Sequence, residues 1–346
     1  MHGRSLLGVL RPRTKLLAML PLALLVAACG AATPAPSSTV KLFMIPKFTG
    51  AAVFTDAHVG AQQMGKNWHY VINYGGPSAS ASATAQVQFI DNAISQGYKG
   101  IFISSSDPSA DTPALVQARK KGITVVSFDS DVLPAGRSVY VQGTSAADIA
   151  LTQLQMLGSQ IGYSGNFVIL SAQATDSNQV LWNKLLVQDL KTNPKYKNMH
   201  LLAIVNPPND GAPAAVQYAQ NILKEYPSIK GIIAPTTIAV AAAAQVVQQQ
   251  GLCKKYVVTG LGDPAQMKSY ITDGCVKEFA LWSFSREGQV AACTMHALLT
   301  KEISGSAGQS YTCPNGLGKF TVARGGVVTA GPAEVFSKSN LSAFTF

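Results

Sequence analysis

From residue 40 onward, short runs of apolar, often β-branched residues alternate with longer stretches in which apolar positions recur every three or four residues. The runs at 40–45, 70–74, 100–104, 124–128, 166–170, 201–205, 231–234, 256–260 and 277–281 predict strands. The stretches at 83–96, 111–121, 146–161, 178–191, 214–226 and 238–250 predict helices. Gln86, Phe89, Ile90, Ala93 and Ile94 mark one such mostly apolar face. Strands that are apolar throughout are buried on both faces, so the alternation predicts parallel sheets covered by helices. Nine strands divide better into two sheets than into one. The division is expected at 139–144, an extended segment with no covering helix before it.

At 346 residues the chain is long enough for two domains. Its 47% hydrophobic content excludes a disordered chain, and it has neither a heptad nor a G-X-Y period. The net charge of +10 shrinks once it is located. Arg4, Arg11, Arg13 and Lys15 fall in residues 1–28 without an acid, leaving +6 for the rest. Those charges are dispersed, with Arg119-Lys120-Lys121 and Lys254-Lys255 the tight clusters, so no nucleic-acid partner is expected.

The basic N-terminus precedes 16–28, an apolar run of 13 residues broken by Pro21. That is too short to cross roughly 30 Å of hydrocarbon as a helix, but it suits a signal-peptide core. Val26-Ala27-Ala28-Cys29 looks like a bacterial lipobox. Residues 1–28 are therefore expected to be a cleaved signal peptide, with Cys29 lipidated and 29–39 a flexible tether. The expected location is extracytoplasmic, with the lipid alone holding the protein to the membrane. Cys253, Cys275, Cys293 and Cys313 form an even set in an oxidising compartment, which favours disulfides in one of three connectivities. Cys253 and Cys275 each precede an apparent strand at the same end of a parallel sheet, so 253–275 with 293–313 is preferred. No CxxC or histidine cluster suggests a metal site.

In doubly wound sheets ligands bind beyond the carboxyl ends of the strands. The residues following the strands are Pro46-Lys47-Phe48, Ser104-Ser105-Ser106-Asp107, Asp129-Ser130-Asp131, Ala174-Thr175-Asp176-Ser177-Asn178-Gln179, Pro235-Thr236-Thr237, Gly262-Asp263 and Trp282-Ser283. Hydrogen-bonding groups and an aromatic thus gather on one rim of both sheets, which suits a small polyhydroxylated ligand.

These segments fall within a series of blocks: IPKFTG (45–50), GAQQMGK (60–66), ISQGYKGIFISSSDP (94–108), VVSFDSD (125–131), TDSNQVLW (175–182), IIAPTTIAVAAA (232–243), VTGLGDPAQM (258–267) and VKEFALW (276–282). In this order they make the chain resemble periplasmic binding proteins of the sugar-binding type I class. The likeness is strongest to the autoinducer-2-binding and rhamnose-binding branch of ABC-transporter receptors. The resemblance implies an α/β fold of two doubly wound, Rossmann-like domains joined by a hinge. The N-terminal lobe would hold 40–142 and 283–312, and the C-terminal lobe 143–282 and 313–346. It implies that Lys47 and Asp129 meet the ligand from the first lobe, and Asp176 with Ser177 or Asn178 from the second. Pro235 and Thr237 would lie against it. Ser177 stands where the autoinducer-2 receptors have glutamine, and Thr237 where they have alanine. APTT and VTGLG look more like the rhamnose receptors, whereas SFDSD and IPK lean the other way. Gly262 stands where ribose-type receptors carry an aspartate. The expected ligand is a small sugar, deoxysugar, polyol or autoinducer-2-like compound. The expected partner is an ABC permease, served by a monomer without a cofactor.

A carboxylate accepts charge-assisted hydrogen bonds from two neighbouring hydroxyls. Asp129 and Asp176 would do so from opposite lobes, with Lys47 offsetting their charge and Phe48, Phe54 and Trp282 covering apolar faces. The plainer readings are helix caps for both aspartates, a surface lysine, a helix N-terminal Asn178, and core positions for Trp182 and Phe89. Asp107 before Pro108 reads as a helix start. An enzyme is not expected: Gly60-x4-Gly65-Lys66-Asn67 lacks the Ser or Thr of a phosphate loop, and no GxSxG or HExxH occurs. The alternatives are a ligand-sensing lipoprotein signalling to a membrane receptor and a glycosidase using Asp129 and Asp176.

Overall fold

The computed structural model describes residues 39–343. The expected signal peptide, Cys29 and almost all of the tether lie outside that range. The first sheet is built from β1 (Lys41–Ile45), β2 (Val71–Tyr74), β3 (Gly100–Ile103), β4 (Thr124–Phe128) and β5 (Val139–Gln142). Helices α1 (Ala52–Gly65), α2 (Gln86–Ser95) and α3 (Pro108–Lys120) cover it. Asp107 caps α3, its carboxylate accepting from the amides of Ser109 and Ala110.

The chain then crosses into α4 (Ala146–Ile161), β6 (Ser164–Leu170), α5 (Ser177–Thr192), β7 (Asn198–Val205), α6 (Ala212–Glu225), β8 (Gly231–Ala234), α7 (Thr237–Gln249), β9 (Val257–Gly260), α8 (Pro264–Thr272) and β10 (Glu278–Leu281). It returns through α9 (Phe284–Leu299), the hairpin β11 (Ser310–Cys313) with β12 (Gly318–Thr321), β13 (Val327–Thr329) and β14 (Glu334–Ser337).

The first sheet runs β13-β5-β4-β3-β1-β2 and the second β7-β6-β8-β9, every pairing parallel. In each, strand order reverses beside its first strand: between β1 and β3, and between β6 and β8. Such reversals open a crevice at the carboxyl ends, because the flanking connections depart to opposite faces. The segment 139–144 marks the crossover, but its strand β5 is a full member of the first sheet.

One boundary differs from the expectation that 313–346 belongs to the second lobe. Val327–Thr329 pairs in parallel with Tyr140–Gln142 at the edge of the first sheet. Ala330 and Gly331 continue that zipper by donating to the carbonyls of Gln142 and Gly143. Only β14 returns to the second lobe, antiparallel to β10. The physical reason is an unpaired edge on β5, which the three-residue strand closes. Three segments therefore join the lobes, at 142–146, 281–284 and 329–334.

Helices α1 and α9 meet backbone to backbone on the first sheet. A Cβ on Gly60 would lie 2.0 Å from the Ser285 carbonyl oxygen, and one on Gly288 1.8 Å from that of Ala57. Gly60 is thus a close-packing residue within α1, which accounts for the incomplete phosphate-loop pattern. Both preferred disulfides form, Cys253–Cys275 and Cys293–Cys313, with Cα separations of 4.7 and 5.8 Å. No helix among the described residues is long and apolar enough to cross a membrane.

Candidate functional site

Each strand-end loop that faces the crevice delivers a polar side chain into it. Lys47 leaves the end of β1, buried, and its Nζ donates to Asp176 Oδ2 at 2.6 Å and Asn178 Oδ1 at 3.2 Å. The same nitrogen lies 3.9 Å from Asp129 Oδ2. Asp176 occupies the N-cap position of α5 but makes no side-chain capping bond. Its carboxylate reaches across to the other lobe instead, so the capping interpretation does not describe it. Asp176 Oδ1 is buried and accepts no hydrogen bond. A buried acceptor in that condition is costly unless a partner arrives.

Asp129 follows β4 with φ +54°, left-handed backbone that costs roughly 1–2 kcal/mol at a residue with a Cβ. Neighbours hold it there. Tyr140 Oη donates to its carbonyl at 2.7 Å, and Ser104 Oγ donates to Oδ2 at 2.6 Å. Asn178 Nδ2 donates to Oδ1 at 3.3 Å from the second lobe.

Burial dominates the electrostatics. It pushes the carboxyls of Asp129 and Asp176 above the usual carboxylate range, against the pull of Lys47. Burial draws Lys47 down, but Asp176 and Asp129 outweigh it and hold the ammonium above its ordinary value. Asp210, in the loop after β7, is a third carboxylate on the wall, fixed by the backbone and side-chain amides of Gln173 at 3.3 Å each.

The remaining walls are apolar. Phe48 meets Phe54 edge-on at 5.5 Å between ring centroids, and Phe54 meets Phe284 at 6.2 Å. Phe284 stacks on Trp282 at 5.0 Å, and Trp282 meets Trp182 at 5.8 Å. These five rings run continuously along the cavity. About 500 Å³ of empty space lies between the walls, counting the part open to solvent.

Of the residues singled out from the sequence, Lys47, Phe48, Phe54, Asp129, Asp176, Asn178, Pro235, Thr237 and Trp282 line this cavity. Ser177 does not. Its hydroxyl donates to the Asp131 carbonyl at 2.7 Å and lies 3.2 Å from Ser130 Oγ, latching the lobes beside the cavity. Trp182, read as core, is buried but also a wall residue. Sequence reasoning passed over Asp210 and Phe284, and placed Gln179 on the strand-end rim without a role of its own. Gln179 Nε2 donates to the Pro235 carbonyl at 2.9 Å and ties the two loops of the second lobe together. Among the described residues no cluster of His, Cys, Asp and Glu has the arrangement of a metal site.

Two α/β lobes with a polar-and-aromatic cleft at their strand ends define a ligand-binding protein of the periplasmic type. The family profile described as "Periplasmic binding protein domain" matches residues 42–303, and the chain belongs to that family. It is similar to a solved sugar ABC transporter protein from Actinomyces odontolyticus: 34% identity, 89% of this chain and 98% of that one, TM-score 0.71. An ABC transporter solute binding protein from Clostridium phytofermentas with bound L-rhamnose is 30% identical over 88% and 98% of the two chains, TM-score 0.84. LsrB from Clostridium saccharobutylicum in complex with AI-2 is 26% identical over 89% and 100%, TM-score 0.82. The chain also matches, at 25% identity over 65% of its length, a xylitol-binding protein from Mycolicibacterium smegmatis, of which it spans 62%.

Proposed function

We propose that the protein is the extracytoplasmic receptor of an ABC importer, binding a small uncharged polyhydroxylated ligand between its lobes and presenting the closed form to a permease. The ligand class covers sugars, deoxysugars, short polyols and autoinducer-2-like compounds. The observation that carries this reading is the meeting of Lys47 and Asp129 with Asp176 and Asn178 across the cleft, bordered by five aromatic rings. The charged residues on the wall are Lys47, Asp129, Asp176 and Asp210, an excess of negative charge that disfavours sugar acids and sugar phosphates. Hydroxyls suit it, because they donate to carboxylates and Asp176 Oδ1 has no donor from the protein. Closure is then a population shift, since only the closed form offers both lobes to the ligand. Lipid attachment at Cys29 and a monomeric state complete the proposal.

Thermal unfolding of a soluble form beginning after Cys29, screened against L-rhamnose, D-arabinose, xylitol, other short polyols, autoinducer-2 and an aldonic acid, tests it. A ligand at 100 times its Kd stabilises by about 2.7 kcal/mol, a visible rise in Tm. A rise with one neutral compound, lost in Asp176→Asn, is expected. A ligand-free preparation that responds to none of them, or to the acid alone, would overturn the reading.

A further inference from the structure

Glu287 stands outside the cavity wall, fully buried in the first turn of α9, with each carboxylate oxygen committed to a group that shapes the wall. Oε1 accepts the backbone N–H of Asp129 at 2.7 Å. Oε2 accepts the indole N–H of Trp282 at 2.6 Å. The first bond holds the left-handed backbone from which the Asp129 carboxylate projects. The second sets the tilt of one of the two indoles on the apolar wall.

The position of these groups in the chain gives the pair of bonds a second meaning. Trp282 follows β10 of the second lobe, and Ser283 caps α9 of the first, so Trp282 lies in one of the three segments joining the lobes, at 281–284. The indole lies against another: a Cβ on Gly143 would fall 1.9 Å from Trp282 Nε1. A change of angle between the lobes therefore moves the indole, and the indole is bonded to the residue that holds Asp129. Burial and the Asp129 carboxyl both push the Glu287 carboxyl well above its ordinary range. A group under that pressure is retained at a cost, against which stand the two buried donors, the Asp129 N–H and the Trp282 N–H, that it satisfies.

We infer that Glu287 is a positioning residue that couples the hinge to the binding site, orienting Asp129 and Trp282 as one unit so that lobe closure and presentation of the carboxylate occur together. This rests on the receptor reading for its meaning in ligand binding, but the coupling itself is a property of the protein alone.

Full-length protein labelled with 5-fluorotryptophan gives three 19F signals, from Trp68, Trp182 and Trp282, assigned by single Trp→Phe variants. Without ligand, Asp129→Asn is expected to shift the Trp282 signal in the native background and to leave it still in a Glu287→Gln background. A shift of equal size in both backgrounds would overturn the inference, because the communication would then bypass Glu287. In calorimetry with L-rhamnose and xylitol as probes, Glu287→Gln and Trp282→Phe are each expected to weaken binding about tenfold or more. The double variant should lose no more than the weaker-binding single, whereas multiplied losses would also overturn the coupling. If the native protein binds neither probe nor any other polyol, the receptor reading falls, and the ligand-free 19F comparison still decides the coupling. Glu287→Asp separates position from charge: it keeps the carboxylate but withdraws it by one methylene, and is expected to restore only part of the affinity.

Discussion

Replacing Lys47 by methionine tests the centre of the site, because it removes one charge from a buried set while conserving most of its volume. Lys47 belongs to the first lobe and its partner Asp176, at 2.6 Å and fully buried, to the second. Deleting one member of a buried ion pair leaves the other uncompensated, at a cost of about 3–5 kcal/mol when water cannot return. Here water does return on opening, so the cost falls on the closed form rather than on folding. Taking the lower figure, about 3 kcal/mol, closure becomes roughly a hundredfold less favourable, and the affinity of a ligand that requires it drops equally. Calorimetry with the ligand found by screening measures the affinity, and small-angle scattering measures the radius of gyration with and without ligand. Lys47→Met is expected to remain expanded at ligand concentrations that compact the native protein, with little loss of thermal stability. Binding within threefold of native would refute the argument that this pair controls closure. The pH dependence has a definite sign. A lysine held above its ordinary value contributes fully below pH 10.5 and loses its contribution only as pH rises through the higher value. The Lys47 ammonium therefore adds no pH dependence of its own below pH 10.5.

Other expectations concern separate parts of the molecule. Gly143→Ala places a methyl group 1.9 Å from Trp282 Nε1, so the indole or the crossover must move. A loss of about 1–3 kcal/mol in stability and a changed tryptophan emission are expected, and an unaltered spectrum would show that the crossover yields freely. Asp111 is buried with one oxygen unpaired, and burial pushes its carboxyl up to about 7. A raised carboxyl contributes its stability below the unfolded value of 3.8 and loses it as pH rises through 7, at about 1.4 kcal/mol per pH unit. Asp111→Asn should accordingly raise Tm at pH 8 and leave it nearly unchanged at pH 4; equal effects at both would contradict the assignment. The Cys293–Cys313 bridge closes a 20-residue separation, for which chain entropy predicts about 3 kcal/mol. Cys293→Ala with Cys313→Ala should lower Tm on that scale without altering ligand affinity, since neither residue lines the cavity.

The central strands were legible because parallel sheets bury both faces, leaving runs such as Gly100–Ile103 and Gly231–Ala234 with no polar position at all. Two helices that pack against each other on the first sheet, α1 and α9, were missing from the predicted helical stretches for the opposite reason. Their facing surfaces use Ala57, Gly60 and Gly288, small residues that permit backbone approach but carry little hydrophobic signal. The terminal strands have only three or four residues each and take their identity from edges made elsewhere. In the site, the strand-end rule located Lys47, Asp129, Asp176 and Pro235. Applied after β7 as well, it would have reached Asp210. Trp182 lies four residues beyond Asn178 in α5, the spacing that brings two side chains to one helix face. Ser177 shows the limit of the rule: it stands beside the cavity residues, yet its direction takes it to the lobe contact.

On the proposed reading, that lobe contact lets one protein hold both an open and a closed form within reach. Besides the Lys47 cluster, the lobes meet through the Thr175 hydroxyl on the Ser106 carbonyl at 2.7 Å and the Ser177 hydroxyl on that of Asp131. Each of these bonds replaces a bond to water, so its net worth is modest, about 1 kcal/mol or less. Polar latches of this kind align the lobes without locking them. The decisive free energy must come from groups that water serves poorly and a ligand serves well, namely the five aromatic rings and the unpaired Asp176 oxygen. A ligand with an apolar face and adjacent hydroxyls satisfies both at once, and only when the lobes are together. Selectivity and closure are thus set by the same surfaces, and a substitution that removed a latch hydroxyl would leave the Ser106 or Asp131 carbonyl unpaired and disfavour the closed form with or without ligand.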